Sequence, residues 1–297
     1  MDDREPTVRS RELGESLRAA MESAGLTGHE LGRRLEWAPS RISRLLSGKR
    51  GGSDIEIAEF LAVCGAKRTE RRRLVDLCRE VGRPGLLQQH GERLPKQLRT
   101  LMDLEDKCIR AADYQATLIP GLLQTPGYAR AVIKRIVNVP ADEVEDRVTA
   151  RLARQDTINY STRYAFFLPE QVLRFPVGNA SVMSDQLHHL LRMSVRPYIE
   201  LRVVPVAHGA HAAVAGSFKL LEFAEFNSVV YLESETTALF LEERAEITAY
   251  RRILESLAAT ALGEGESKDL IAHLAIELYG HREDHDEGLV QEQLQRG

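Results

Sequence analysis

Between positions 39 and 50 the chain reads PSRISRLLSGKR. At helical spacing Ile42, Leu45 and Leu46 form one apolar stripe, which leaves Ser40, Arg41, Arg44 and Ser47 on the opposite side. Those residue types suit one chemistry well. A guanidinium presents a planar fork that matches O6 and N7 of guanine, and short hydroxyls bond base edges or phosphate oxygens. The expectation is a major-groove reader, with bases read by Ser40, Arg41 and Arg44 and phosphates held by Ser47, Lys49 and Arg50. Arg33 and Ser43 complete the expected DNA-contacting set.

Other constellations point less far. His208 and His211 lie three apart around Gly209-Ala210, but no further metal ligand stands near them in sequence, although Glu222 or Glu233 could reach from a strand. His188 and His189 are adjacent on a helical segment and so face different directions. Glu233 and Glu235 share one face of a strand, which an exposed surface explains as well as acid–base work does. The sequence contains no glycine-rich phosphate loop, serine nucleophile elbow or Cys-x-x-Cys pair. The chain is therefore expected not to be an enzyme and to need neither metal nor cofactor.

The elements that position the reader follow from local signals. Leu13, Leu17 and Met21 recur every four residues in a first helix over 9–24, which Gly25 stops. Thr27 and Glu30 make a capping box for a second helix carrying Leu31 and Leu35. Glu36-Trp37-Ala38 breaks the pattern, and Pro39 suits the first turn of a third helix, where a missing N–H costs nothing. Helices over 54–64 and 69–81 place Ile57, Leu61 and Cys64 on one face with Phe60 beside them, and Leu74, Leu77, Cys78 and Val81 inward, and complete a five-helix domain. The run Arg71–Arg73 could touch DNA, but a solvated helix start explains it more simply.

Net charge is −4, an odd value for a nucleic-acid partner until it is divided. Residues 1–83 carry +3 and the remainder −7, and positions 33–50 hold six basic residues against one acid, Glu36. The positive charge is local, as a phosphate-facing surface requires. No apolar run approaches the roughly 20 residues of a membrane span, and the polar start MDDREPTVRSRE lacks the apolar core of a signal peptide. Cys64, Cys78 and Cys108 lack metal-ligand spacing and suit a reducing, cytoplasmic setting, nucleoid-associated when DNA is bound.

Residues 27–50 resemble the helix-turn-helix of the phage-repressor-like, Xre-type transcription regulators. That pattern appears here as Glu30-Leu31-Gly32, a turn, and Ala38-Pro39-Ser40-Arg41-Ile42-Ser43-Arg44 through Arg50. The chain departs from it at Glu36, where the family has a small residue or glycine, and at Ala38, Pro39 and Leu46, which replace Ser, Gln and Glu. A second resemblance begins at IPGLLQTPGYARAV and RVTARLARQ (147–155). It continues through LPEQVLRFPVG, DQLHHLL, GSFKLLEF, VVYLES and YRRILESLAATAL. These phrases are similar to the domain of unknown function attached to actinobacterial, antitoxin-like regulators of the Scr1 type.

The expected architecture is multidomain: an all-α five-helix helix-turn-helix domain (1–83), a linker (84–97), an α+β regulatory or interaction domain with a mainly antiparallel sheet (98–280), and a disordered tail (281–297). In the second domain, helices are expected over 98–114, 140–160, 182–193, 245–262 and 267–279. Strands are expected over 164–168, 198–205, 217–223, 229–233 and 237–241. Double-stranded DNA is the expected partner, bound by a homodimer. For the second domain the resemblance implies either a small partner protein encoded nearby, making the chain an antitoxin-like interaction module, or dimerisation; a small-molecule effector held by the sheet is a further reading. The function expected is sequence-specific transcription regulation.

Overall fold

A computed structural model describes residues 6–49, 52–81, 86–89, 95–234 and 237–279. Arg50, much of the 84–97 segment and the whole 281–297 tail lie outside the described residues. The chain divides into two units, residues 1–90 with 222–248, and residues 91–221 with 249–297.

The first unit contains α1 (Val8–Ser23), α2 (Gly28–Leu35), α3 (Pro39–Leu46), α4 (Asp54–Val63) and α5 (Arg68–Glu80). Thr7 caps α1, and full capping boxes start α2 (Thr27 with Glu30) and α4 (Ser53 with Glu56). Leu13, Leu17, Leu31, Ile42, Ile57, Phe60, Leu61 and Leu74 form one buried core. Two glycines let the backbones of α1 and α3 nearly touch. A Cβ on Gly14 would stand 2.5 Å from the Leu46 carbonyl oxygen, and one on Gly48 2.9 Å from the Ser10 carbonyl. Gly48 also has φ +69°, a conformation that favours glycine.

The same unit holds β1 (Leu86–Gln89), β6 (Val229–Glu233) and β7 (Thr237–Leu241), in the order β1-β7-β6 with both pairings antiparallel. Thus part of the segment read as a linker is a sheet strand. Just past β7, both carboxylate oxygens of Glu242 accept from the Val8 N–H, at 2.9 and 3.0 Å, at the positive end of α1. Glu242 Oε1 also lies 3.6 Å from Arg11 Nη2, and the Arg11 guanidinium sits over the rings of Phe223 and Phe226 at 5.1 and 5.0 Å.

The second unit is built on the strand order β5-β2-β3-β4, from β2 (Arg110–Tyr114), β3 (Arg163–Pro169), β4 (Ile199–Val204) and β5 (Phe218–Glu222). Its helices are α6 (Pro95–Lys107), α7 (Pro126–Ile133), α8 (Val144–Ala153), α9 (Glu170–Arg174), α10 (Ala180–Ser194) and α12 (Glu264–Tyr279). The boundary between the units falls inside α11 (Arg244–Thr260). The α+β class holds, and the sheet is mixed. The antiparallel expectation fits β1, β7 and β6, whereas β2–β3 and β3–β4 pair in parallel because helical crossovers separate them. Two helix expectations also need correction. The helix expected over 98–114 ends at Lys107, and 110–114 enters the sheet as β2, where Ala111 and Ala112 are buried. The helix expected over 140–160 is regular only in α8, with 3-10 turns at Ala141–Glu143 and Arg154–Thr157.

The phrases that carry the second resemblance are mostly architectural. Gln124 donates to the Ile119 carbonyl at 2.7 Å and accepts from Arg151 at 3.0 Å, and Gln155 donates to the Gln124 carbonyl at 2.6 Å. Fully buried Gln186 donates to the Leu123 carbonyl and accepts from the Thr125 N–H, both at 2.7 Å. Beneath this network lies a buried ionic cluster. Arg154 grips Glu105 with two hydrogen bonds of 2.8 and 3.0 Å, Lys219 also pairs with Glu105, and Lys219 Nζ lies 3.1 Å from Asp113. Burial pushes the Glu105 carboxyl up, but Arg154 and Lys219 outweigh it and hold it at about 2.

Because that value lies below the ordinary 4.5, the stability from Glu105 is complete above about pH 4.5 and is lost as pH falls toward 2. Glu105→Gln is expected to cost about 3–5 kcal/mol at neutral pH and to flatten the acid limb of the unfolding curve; urea denaturation at pH 7 and pH 3 checks both. Gly14→Ala should lower the thermal midpoint of the first unit despite alanine's higher helix propensity, at a cost of about 1–3 kcal/mol from overpacking. A raised midpoint would contradict the α1–α3 contact.

Candidate nucleic-acid interface

The segment that leads into α3 opens on an unusual turn. The α2 helix ends at Glu36, whose φ of 54° and ψ of 35° lie in the left-handed region. It is the residue that replaces the family's small residue or glycine. The Trp37 N–H then donates to the Gly32 carbonyl at 2.8 Å, and a Cβ on Gly32 would lie 3.1 Å from the Trp37 carbonyl oxygen, so the turn is drawn tightly onto α2. Ala38 is the N-cap of α3 without a side-chain cap, and Pro39 occupies its first turn. At the other end, Arg18 of α1 donates to the Leu46 carbonyl at 3.4 Å, and Gly48 allows the sharp exit.

Ile42, Leu45 and Leu46 are buried, so α3 turns its other side outward. Ser40 and Ser43 are exposed there, as are Arg33 on α2 and Lys49 beyond α3. Arg44 is half-buried, and its Nε donates to the Ser40 carbonyl at 3.1 Å. Ser47 is partly buried and donates to the Arg44 carbonyl at 3.1 Å. Arg41 is ion-paired with Glu56 of α4, and its guanidinium lies 4.3 Å from the centre of the Trp37 ring. Lys49 Nζ lies 3.9 Å from Glu225, both groups being exposed. Arg50 falls outside the described residues. The sequence reading missed Trp37 and Glu56. Their signals were present in the four-residue spacing of Trp37 and Arg41 and in the capping pair Ser53 and Glu56. Of the run Arg71–Arg73, Arg73 binds back to α1, at 3.1 Å from Ser16 Oγ and 3.5 Å from Glu12.

Of the other constellations, Glu235 of the Glu233–Glu235 pair lies outside the described residues. His211 Nε2 lies 3.3 Å from the Tyr114 hydroxyl, and burial together with the nearby His208 lowers its pKa. His208 sits exposed in a 3-10 turn, and His188 bonds the Ser184 carbonyl at 2.8 Å. Among the described residues no group of three His, Cys, Asp or Glu is placed to hold a metal ion. Cys64, Cys78 and Cys108 are free thiols, and burial pushes Cys108 up to about 12. No helix of the described residues is long and apolar enough to cross a membrane.

A family model described as a helix-turn-helix domain matches residues 12–74. A second, described as a domain of unknown function, DUF5753, matches residues 98–273, more than half of the chain. The chain belongs to the DUF5753 family. No curated protein matches it. A solved structure reported as that of TrmBL2, an archaeal chromatin protein with a novel mode of DNA binding, is 11% identical. It covers 80% of this chain and 88% of its own with a TM-score of 0.31, too weak a likeness to transfer a fold or a function. The helix-turn-helix domain ahead of the DUF5753 domain supports a DNA-binding regulator.

Glu36→Gly should relieve the left-handed strain at the turn and stabilise the first unit by about 0.5–1 kcal/mol, less than the 1–2 kcal/mol of the strain itself because glycine loosens the unfolded chain. Equilibrium denaturation measures it, and a loss of stability would contradict the strained-turn account.

Proposed function

We propose that this chain is a sequence-specific transcription regulator of the Xre type, related to the actinobacterial Scr1-like, antitoxin-like proteins, that binds double-stranded DNA as a dimer. The observation that carries the reading is the two-sided build of α3: Ile42, Leu45 and Leu46 are buried while Ser40 and Ser43 face solvent and Arg41 and Arg44 are partly exposed beside them. In this reading Ser40, Arg41 and Arg44 contact bases. Arg33, Ser43, Ser47, Lys49 and Arg50 hold the backbone. A dimer would set two such helices on half-sites one helical turn apart.

The second domain then governs the reader through dimerisation, a small protein partner or a small-molecule effector. A specific observation favours such coupling. Residues 222–248 fall inside the stretch matched as DUF5753, yet they share a unit with the helix bundle, where Glu242 caps α1 and Phe223 and Phe226 enclose Arg11. Co-purification of a small protein, or a ligand-dependent thermal shift of the full chain, would separate those two forms of control.

Fluorescence anisotropy on a duplex selected from a random library tests the division of labour. Lys49→Ala should weaken binding to all duplexes alike and reduce the salt slope by about 1. Arg44→Ala should relax preference at one base position. Equal losses on cognate and non-cognate DNA for both variants would contradict it.

A further inference from the structure

Arg41 is held from two directions. Stacking over the ring of Trp37, four residues earlier in the turn before α3, fixes the plane of its guanidinium. An ion pair from Nη2 to Glu56 Oε1 fixes the rotation within that plane. The carboxylate is itself anchored, because Glu56 Oε2 accepts from the Ser53 N–H at 2.6 Å in the capping box of α4. Arg41 nevertheless keeps 37% of its side chain exposed. Arg44 differs, since its Nε bonds a carbonyl of its own helix and folds the side chain back along α3.

We infer that Trp37 and Glu56 are positioning residues that preset Arg41 as the principal guanine reader of α3, with Arg44 subordinate. The inference rests on the DNA-reading function proposed above. A preset fork loses less side-chain freedom on binding than a free one. The carboxylate also decides the target: its charge repels a phosphate far more strongly than the uncharged O6/N7 edge of guanine, so Arg41 is steered from the backbone to the base.

The test is selection from a randomised duplex library with the full chain, its Arg41→Lys, Arg44→Ala, Glu56→Gln and Trp37→Leu variants, and thermal midpoints alongside. Gln keeps the capping box while removing the charge, so Glu56→Gln carries the test alone should Trp37→Leu unfold. Arg41→Lys should erase a guanine preference of roughly tenfold or more at one position of the selected motif. Glu56→Gln and Trp37→Leu should each reduce that same preference several-fold with the midpoint little changed, and Glu56→Gln should raise non-cognate affinity more than cognate affinity, because the charge that repels phosphate is gone. Unchanged preference in Glu56→Gln, or a uniform rise in affinity for every duplex, would make Glu56 a competing anion and overturn the inference. Loss of the guanine preference in Arg44→Ala but not in Arg41→Lys would reverse the hierarchy. A wild-type chain that selects no sequence would instead remove the DNA-reading function itself.

Discussion

An eight-residue helix does not hold itself together in water, so the placement of α3 depends on the backbone contact it makes with α1. Gly14 and Gly48 make that contact possible by leaving out two methyl groups. The short apolar stripe of Ile42, Leu45 and Leu46 then fills the space between the helices, and Arg18 closes the exposed end of α3. The rest of the first unit reinforces α1. Thr7 and Glu242 satisfy its first N–H groups, and aromatic rings enclose Arg11. A helix placed through backbone contact has little freedom to tilt, which suits the base-reading role proposed for α3.

Charge is handled in two ways in the molecule. Where it is buried, it is matched by opposite charge and hydrogen bonds, as in the Glu105, Arg154, Lys219 and Asp113 cluster of the second unit. Burial works against the charge on Lys219, and Asp113 and Glu105 more than restore it. On the outer side of α3, Arg41 is held by both Trp37 and Glu56, whereas Lys49 faces Glu225 only loosely, at 3.9 Å in solvent. In the proposed complex a phosphate would compete for Lys49, because exposed pairs contribute only about 0–1 kcal/mol.

The helix bundle was readable from the sequence because its signals are local. The capping box at Thr27 and Glu30, the proline opening α3 and the apolar periodicity of α1 each act within one or two turns. The second unit was less readable where tertiary context prevails. Cys108–Tyr114 continues a helical pattern, but Ala111 and Ala112 are small enough to pack in a central strand, and Asp113 finds Lys219 there. The run YAFFL in β3 is buried on both faces, as in a parallel sheet, yet it does not alternate and so gave no face to read. In the candidate site the outward residues of α3 could be named, whereas the link from Arg41 to Glu56 spans two helices and became visible only in three dimensions.

The central claim is that α3 reads the major groove. Methylation interference on a selected duplex addresses it directly, because methyl groups at guanine N7 project into the major groove and those at adenine N3 into the minor groove. The account predicts that methylation of one or more guanines at N7 blocks binding of the full chain while adenine N3 methylation in the same base pairs' vicinity is tolerated. Binding insensitive to every N7 methyl group, or blocked only by minor-groove methylation, would contradict it.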